Sequence, residues 1–354
     1  HKPSLMFNIS NNINIDIPTS WNRCTLTQLR AISEIMIELT EHSTPLNPFD
    51  MRAFKLAVFF CLAELEITKP LDTNLPVGEQ HYYVRKQGSR FFHLKNKILK
   101  RNKPFSLFLW QIYYWLCPEQ EKSKKNRRKG ILDWLGNDSG DTLLLLPIEK
   151  IRRGPWYKRK VFLGPAPMLD GFTWQRYRFA QDYMQSYMEL SNKLCQLSKL
   201  GRRVQAKTII TITKELDKVR AMFLANLFED KVRYIDESTG ETRYDYHYYT
   251  SQAQVNAHYF RNFSNSDWQI VLLYWSGVMQ WLSKTYPRVF KKQNVKKNQS
   301  VNPLELYART TATMEKYIGL SADQVEREPY TTSLQQMEDI ALQNEELDKI
   351  KHKK

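Results

Sequence analysis

The chain is poor in the residues that build the commonest chemical sites. Cysteine occurs four times and histidine seven times in 354 residues. Cys24, Cys61, Cys117 and Cys195 lie 37, 56 and 78 residues apart, so no pair has the close spacing of a zinc site or a redox dithiol. Their apolar surroundings read as buried free thiols in a reducing compartment. No histidine pair falls at ligand spacing. Glycine is scarce too, with 12 residues where roughly 7% of a chain is ordinary. Neither a GxGxxG nor a GxxxxGK motif occurs, which excludes the usual phosphate-cradling loops, and there is no GxSxG nucleophile turn. The longest apolar run, 270–279, is broken by Ser276 and Gly277 and is too short to span a bilayer. No secretory leader pattern opens the chain. These absences predict a soluble, non-enzymatic protein with no cofactor, no metal and no membrane partner.

Basic charge is what the chain has in excess. It carries 53 Lys and Arg against 37 Asp and Glu, a net of +16. The excess is not spread evenly. Residues 1–94 hold 9 basic and 9 acidic side chains, 95–207 hold 24 and 9, and 208–354 hold 20 and 19. Nearly all of it therefore belongs to the middle third. One run there is Lys122, Lys124, Lys125, Arg127, Arg128 and Lys129. A second is Lys150, Arg152, Arg153, Lys158, Arg159 and Lys160, interleaved with Trp156 and Tyr157. Lysine and arginine beside flat aromatic rings suit a phosphate backbone with stacking or cation–π contact. An acidic protein partner would also satisfy them, and so would plain solvation. Lys122, Lys124, Lys125, Arg127, Arg128, Lys129, Arg152, Arg153, Trp156, Lys158, Arg159 and Lys160 are the candidate contact residues. Asp133, Asp138 and Asp141 could hold Mg²⁺ beside this surface in a nuclease. Their glycine- and asparagine-rich setting instead reads as an ordinary turn.

Apolar periodicity predicts a mainly α-helical chain of α+β type, with bundle-like halves, two β-hairpins and a small accessory sheet. A capping box of Thr25 and Gln28 opens a first helix through about residue 41. A second helix covers about 49–66, a hairpin 81–94 turns at Gln87–Gly88, and a third helix covers about 104–116. Segments 141–151 and 158–164 are expected as strands joining that hairpin. Long helices follow over 173–200 and 206–229, the first with a core stripe of Phe179, Tyr183, Tyr187, Leu190, Leu194 and Leu197. A second hairpin, 231–249, alternates Tyr234 on one strand with Tyr244, Tyr246 and Tyr248 on the other. Ser266 with Gln269, and Ser321 with Gln324, read as further capping boxes. The two prolines and two glycines of 163–171 mark a boundary. The expected division is 1–165, 166–300 and a C-terminal helical extension 301–354. Segments 24–36 and 172–184 align without gaps, sharing Thr25 with Thr173, Arg30 with Arg178 and Met36 with Met184.

Tyrosine and terminal-helix leucine suit protein contact. The interface candidates are Tyr234, Tyr244, Tyr246 and Tyr248 of the hairpin, and Leu334, Met337, Ile340 and Leu347 of the last helix. That helix could equally pack home.

The segments IPTSWNRCTLTQL (17–29), LDGFTWQRYRFAQDYM (169–184), WSGVMQWLSKTYPRVF (275–290) and PYTTSLQQMEDIALQNEELDK (329–349) carry a resemblance. In their order they resemble uncharacterised proteins from the tail and head-completion gene region of Bacteroidetes phages and prophages. That resemblance implies a virion structural or assembly protein. Its partners would be other virion proteins and further copies of itself. The basic face, read from the charge count and not from the resemblance, would meet packaged DNA or an acidic partner. It would sit in the host cytoplasm during assembly or in the particle itself. A nucleic-acid-binding protein outside any virion is the alternative, and a metal-dependent nuclease a second.

Overall fold

A computed structural model describes residues 5–10, 13–41, 50–76, 78–86, 104–116, 130–136, 141–199, 206–230, 232–235, 242–245, 250–290, 312, 314–316 and 319–351. The chain is mainly α-helical with two small three-stranded antiparallel sheets, and it forms two compact units. The first comprises 1–143 with 265–274, the second 144–264 with 275–354. This differs from the three-part reading: the division falls at 143/144 instead of 165, and the C-terminal segment belongs to the second unit.

In the first unit, β1 (Leu5–Ser10) pairs antiparallel with β2 (Ile13–Ile17). Helix α1 (Leu26–Glu41) opens on the predicted capping box. The Thr25 N–H donates to Gln28 Oε1 at 2.9 Å, and the Gln28 N–H donates to Thr25 Oγ1 at 3.2 Å. Helix α2 (Met51–Leu62) packs against it and starts at Asp50, whose carboxylate accepts the Arg52 N–H. The chain then reverses through Glu64, at φ 54°, into β3 (Leu65–Lys69). β3 lies beside β4 (His81–Lys86), which also pairs with β5 (Phe105–Phe108). Both edges of β4 are thus occupied, and the expected local hairpin partner at 89–94 falls outside the described residues. The third helix is shorter than expected: 105–108 is strand, and only Leu109–Leu116 is helix α3. Val84, Leu107, Val58 and Ile112 are fully buried and join sheet to helices.

In the second unit, β6 (Lys150–Arg153) and β7 (Lys160–Leu163) form a hairpin. Segment 141–149 is not strand, although Leu143, Leu146 and Ile148 are buried. Helix α4 (Trp174–Lys199) packs along α5 (Ala206–Leu227). The two-residue strand β8 (Glu229–Asp230) then joins β7, so the small sheet is completed by β8 and not by the hairpin at 81. β9 (Val232–Ile235) and β10 (Thr242–Asp245) form the second hairpin, with Tyr234 opposite Arg243 and Tyr244 opposite Arg233. Helices α6 (Thr250–Asn256), α7 (Asn265–Thr285), α8 (Ala322–Arg327) and α9 (Tyr330–Lys351) follow. α7 contributes its stretch through Tyr274 to the first unit and the remainder to the second. The Ser321–Gln324 capping box is present, whereas α7 already includes Asn265 and Ser266.

The core of the second unit corrects the α4 stripe. Trp174, Tyr177, Ala180 and Met184 are buried, while Phe179, Tyr183 and Tyr187 are only half-buried. The buried set sits one position from the expected stripe, because Tyr177 stacks on Tyr330 of α9 at 5.0 Å between ring centroids. Phe223 meets Trp275 edge-on at 5.1 Å.

One buried cation organises this unit. Arg176 is 3% exposed, and its guanidinium lies 3.8 Å from the Phe172 ring centroid. It donates to the carbonyls of Asn226 at 2.7 Å and Leu227 at 3.0 Å, and to the Glu229 carboxylate. Those carbonyls belong to the last turn of α5, where no intrahelical donor remains. A cation there also suits the helix dipole.

Candidate nucleic-acid interface

The β6–β7 hairpin carries the second basic run. Its strands pair Lys150 with Leu163, Ile151 with Phe162, Arg152 with Val161 and Arg153 with Lys160. Alternation along a strand sends successive side chains to opposite faces. Ile151 and Phe162 point inward and are buried, and Phe162 contacts Phe260 at 4.9 Å and Tyr259 at 5.5 Å. This apolar pair fixes the base of the hairpin.

Arg153 and Lys160 are the next pair on that same inward face. Lys160 Nζ donates to Asp230 Oδ2 at 2.7 Å and to Asn256 Oδ1 at 3.2 Å, and lies 5.6 Å from the Tyr259 ring centroid. Gln252 and Asn256 also donate to Asp230, at 3.1 and 3.3 Å. The Arg153 guanidinium sits over the Phe263 ring at 5.8 Å. Lys160 and Arg153 were expected as contact residues; the structure uses both within the fold. The register decides this, since they share the face of Ile151 and Phe162.

On the opposite face Lys150 and Arg152 are exposed. At the tip, Gly154 takes φ 94°, a left-handed conformation that side chains resist. Pro155 then leads into a single 3-10 turn, Trp156–Lys158. Trp156 is 82% exposed and Tyr157 66% exposed, with ring centroids 5.8 Å apart and planes at 86°. Arg159 is exposed beside them, and the Lys158 side chain lies outside the described residues. From 150 to 164 the chain contains no acidic residue. Exposed Arg152 and Arg159 thus flank the two exposed rings along the chain, while exposed Lys150 lies at the open end of the hairpin. Burying a large aromatic side chain contributes about 1.5–3 kcal/mol, and folding leaves that contribution unclaimed at Trp156.

The remaining candidates divide. Lys122, Lys124, Lys125, Arg127, Arg128, Lys129, Tyr246 and Tyr248 lie outside the described residues. Tyr234 and Tyr244 are paired in the β9–β10 ladder. Leu334 is 1% exposed, so it belongs to the core and is no free interface residue. Met337 and Ile340 are half-buried, and Leu347 is 54% exposed. Helix α9 packs home over its first half for a specific reason. Glu338, itself buried, accepts the N–H groups of Arg288 at 2.9 Å and Val289 at 3.0 Å and pairs with the Arg288 guanidinium at 3.0 Å. That network raises the Arg288 pKa, first through its hydrogen bond to Glu338 and then through Glu345.

Two of the three acidic candidates have partners within the fold. Asp133 accepts Lys55 Nζ at 2.6 Å and the Gly130 N–H at 2.8 Å, and Asp141 accepts the Trp21 N–H at 2.9 Å. Asp138 lies outside the described residues. Among the described residues, no group of three or more His, Cys, Asp or Glu is placed to hold a metal. None of their helices is long and apolar enough to cross a membrane. No protein-family model, curated protein or solved structure matches the chain.

Proposed function

We propose that the chain is a non-enzymatic structural or assembly protein of a bacteriophage, acting through surface contacts, and that the β6–β7 tip is where it meets nucleic acid. The observation that carries the nucleic-acid part is the tip: exposed Trp156 and Tyr157 between exposed Arg152 and Arg159, in a stretch from 150 to 164 that contains no acidic residue. The segment resemblance supports the phage part. Other virion proteins and further copies are the protein partners, with the exposed Leu347 end of α9 as a contact.

The test is the salt dependence of binding to a random oligonucleotide. Each phosphate neutralised adds about −0.7 to the slope of log K against log salt for single strands and about −0.9 for duplex. Replacing Arg152 and Arg159 together by Ala should make the slope less negative by roughly 1–2 and weaken binding across all sequences. An unchanged slope and affinity would exclude the hairpin as the contact. For the phage part, the protein should co-sediment with particles or their assembly intermediates. Absence from both would exclude a role in the particle or its assembly.

A further inference from the structure

We infer that the hairpin tip is a base-stacking element, selecting single-stranded nucleic acid over duplex and over acidic protein. The inference rests on the nucleic-acid reading above and adds the class of strand. Two features carry it: where the cations point, and what the tip offers in place of base-edge readers.

Among the described side chains of the hairpin, the cations left to a ligand form a narrow set. Lys160 is held by Asp230 and Asn256, and Arg153 lies over Phe263. Lys150, Arg152 and Arg159 are exposed along one side of the ribbon and its tip. Such a line can track one backbone.

The outermost groups are rings. A two-stranded ribbon can enter a duplex major groove, but sequence reading there needs hydrogen-bonding side chains at base edges. The outermost segment, Gly154–Pro155–Trp156–Tyr157, has no amide, guanidinium or carboxylate side chain. It offers two π-faces. In a duplex the faces of the bases are stacked on one another and closed to them, whereas in a single strand they are open. Trp156 and Tyr157 stand nearly perpendicular, 86° at 5.8 Å, so each ring presents its face in a different direction. Consecutive bases of a splayed strand can each find a ring, while the arginines hold the phosphates between them.

The tip is also pre-shaped for this. Gly154 at φ 94° and Pro155 fix the turn, and the Ile151–Phe162 pair fixes its base, so little ordering is required on binding. Because Trp156 contributes almost nothing to the core, its removal leaves the fold intact, which keeps the test clean.

The full-length protein is titrated by fluorescence anisotropy against a labelled oligo-dT of about 20 nucleotides, a size on the order of one or two single-strand sites, a duplex of equal length, and polyglutamate as an acidic polymer without bases. The wild type should prefer oligo-dT. Trp156→Ala should weaken oligo-dT binding about tenfold or more and leave duplex binding within twofold, with Trp156→Phe restoring most of the loss. Thermal unfolding of each variant should match the wild type. Equal losses on oligo-dT and duplex, or no loss on oligo-dT, would overturn stacking while leaving nucleic-acid binding standing. Polyglutamate binding as tight as oligo-dT, lost with Trp156→Ala, would overturn it in favour of an acidic protein partner. No binding of either nucleic acid by the wild type would overturn both this inference and the reading beneath it.

Discussion

Replacing Arg176 should destabilise the second unit more than any exposed substitution can. Its guanidinium serves the Asn226 and Leu227 carbonyls, the Glu229 carboxylate and the Phe172 ring from a 3% exposed position. Arg176→Met keeps the stem and removes all four interactions with little cavity. Each buried carbonyl left without its donor costs about 1–3 kcal/mol. Glu229, the partner left behind, is 29% exposed and remains in reach of water, so it adds little to the loss. The two carbonyls together put the total at about 2–6 kcal/mol, a large part of the roughly 5–15 kcal/mol that holds a typical domain folded. Arg176→Lys should recover part of it, since one ammonium can reach the carboxylate but cannot fork to three acceptors. Urea unfolding followed by far-ultraviolet circular dichroism gives the size of the loss. Hydrogen exchange over residues 220–227 shows whether it begins at the end of α5. A loss under about 1 kcal/mol for Arg176→Met, below the cost of even one stranded carbonyl, would refute the assignment of Arg176 as the cap of that helix.

Three further perturbations probe separate parts of the fold. Burial pushes the Cys24 thiol up to about 12, with Asp141 adding to the rise, and Cys61 is raised for the same first reason. Among Cys24, Cys61 and Cys195, alkylation at pH 8 should therefore mark exposed Cys195 first and Cys24 last, and mass spectrometry showing Cys24 labelled as fast as Cys195 would contradict its burial. Burial also raises the Asp182 pKa from 3.8 against the opposing pull of Arg178. The folded chain then holds that proton to higher pH than the unfolded one, so stability falls as pH rises from the unfolded value through the folded one. Asp182→Asn should raise the melting temperature at pH 7 and change it little at pH 3; the reverse order would contradict the sign. Met168 and Leu169 both hold left-handed backbone, at φ 55° and 59°. Met168→Gly should gain about 1 kcal/mol by relieving it. Leu169→Gly should instead lose about 2–5 kcal/mol, because that side chain is fully buried. No gain from Met168→Gly would contradict strain at that position.

The helices were legible because their signals are local. Thr25 with Gln28 and Ser321 with Gln324 form the reciprocal caps that their spacing predicts, and the long periodic segments became α4, α5 and α9. Short strands were not legible. β3 follows α2 without a glycine or proline, reversing through Glu64. β5 lies in the run FSLFLWQIYYWL, where four consecutive strand residues and a helix share one apolar composition. β8 is two residues long and exists only because β7 is beside it. At the candidate site, the mixture of basic and aromatic residues was plain from the sequence. The facing of each was not. Alternation alone would have set Arg153 apart from Arg152, but which side was inward depended on Phe260 and on Asp230, 70 residues from Lys160. Asp230, Gln252 and Asn256 carried no signal of their own, being single polar residues that only the fold brings together.

The central claim places nucleic acid on the β6–β7 tip, and photocrosslinking tests it most directly. The full chain would be irradiated with an oligonucleotide carrying 4-thiothymidine, digested with trypsin and mapped by mass spectrometry. Cleavage after Arg153 and Lys158 releases Gly154–Lys158, the peptide that contains Trp156 and Tyr157. This peptide should carry the principal adduct, and the adduct should disappear when unlabelled oligo-dT competes. Adducts confined to other peptides, with Gly154–Lys158 recovered unmodified, would contradict it.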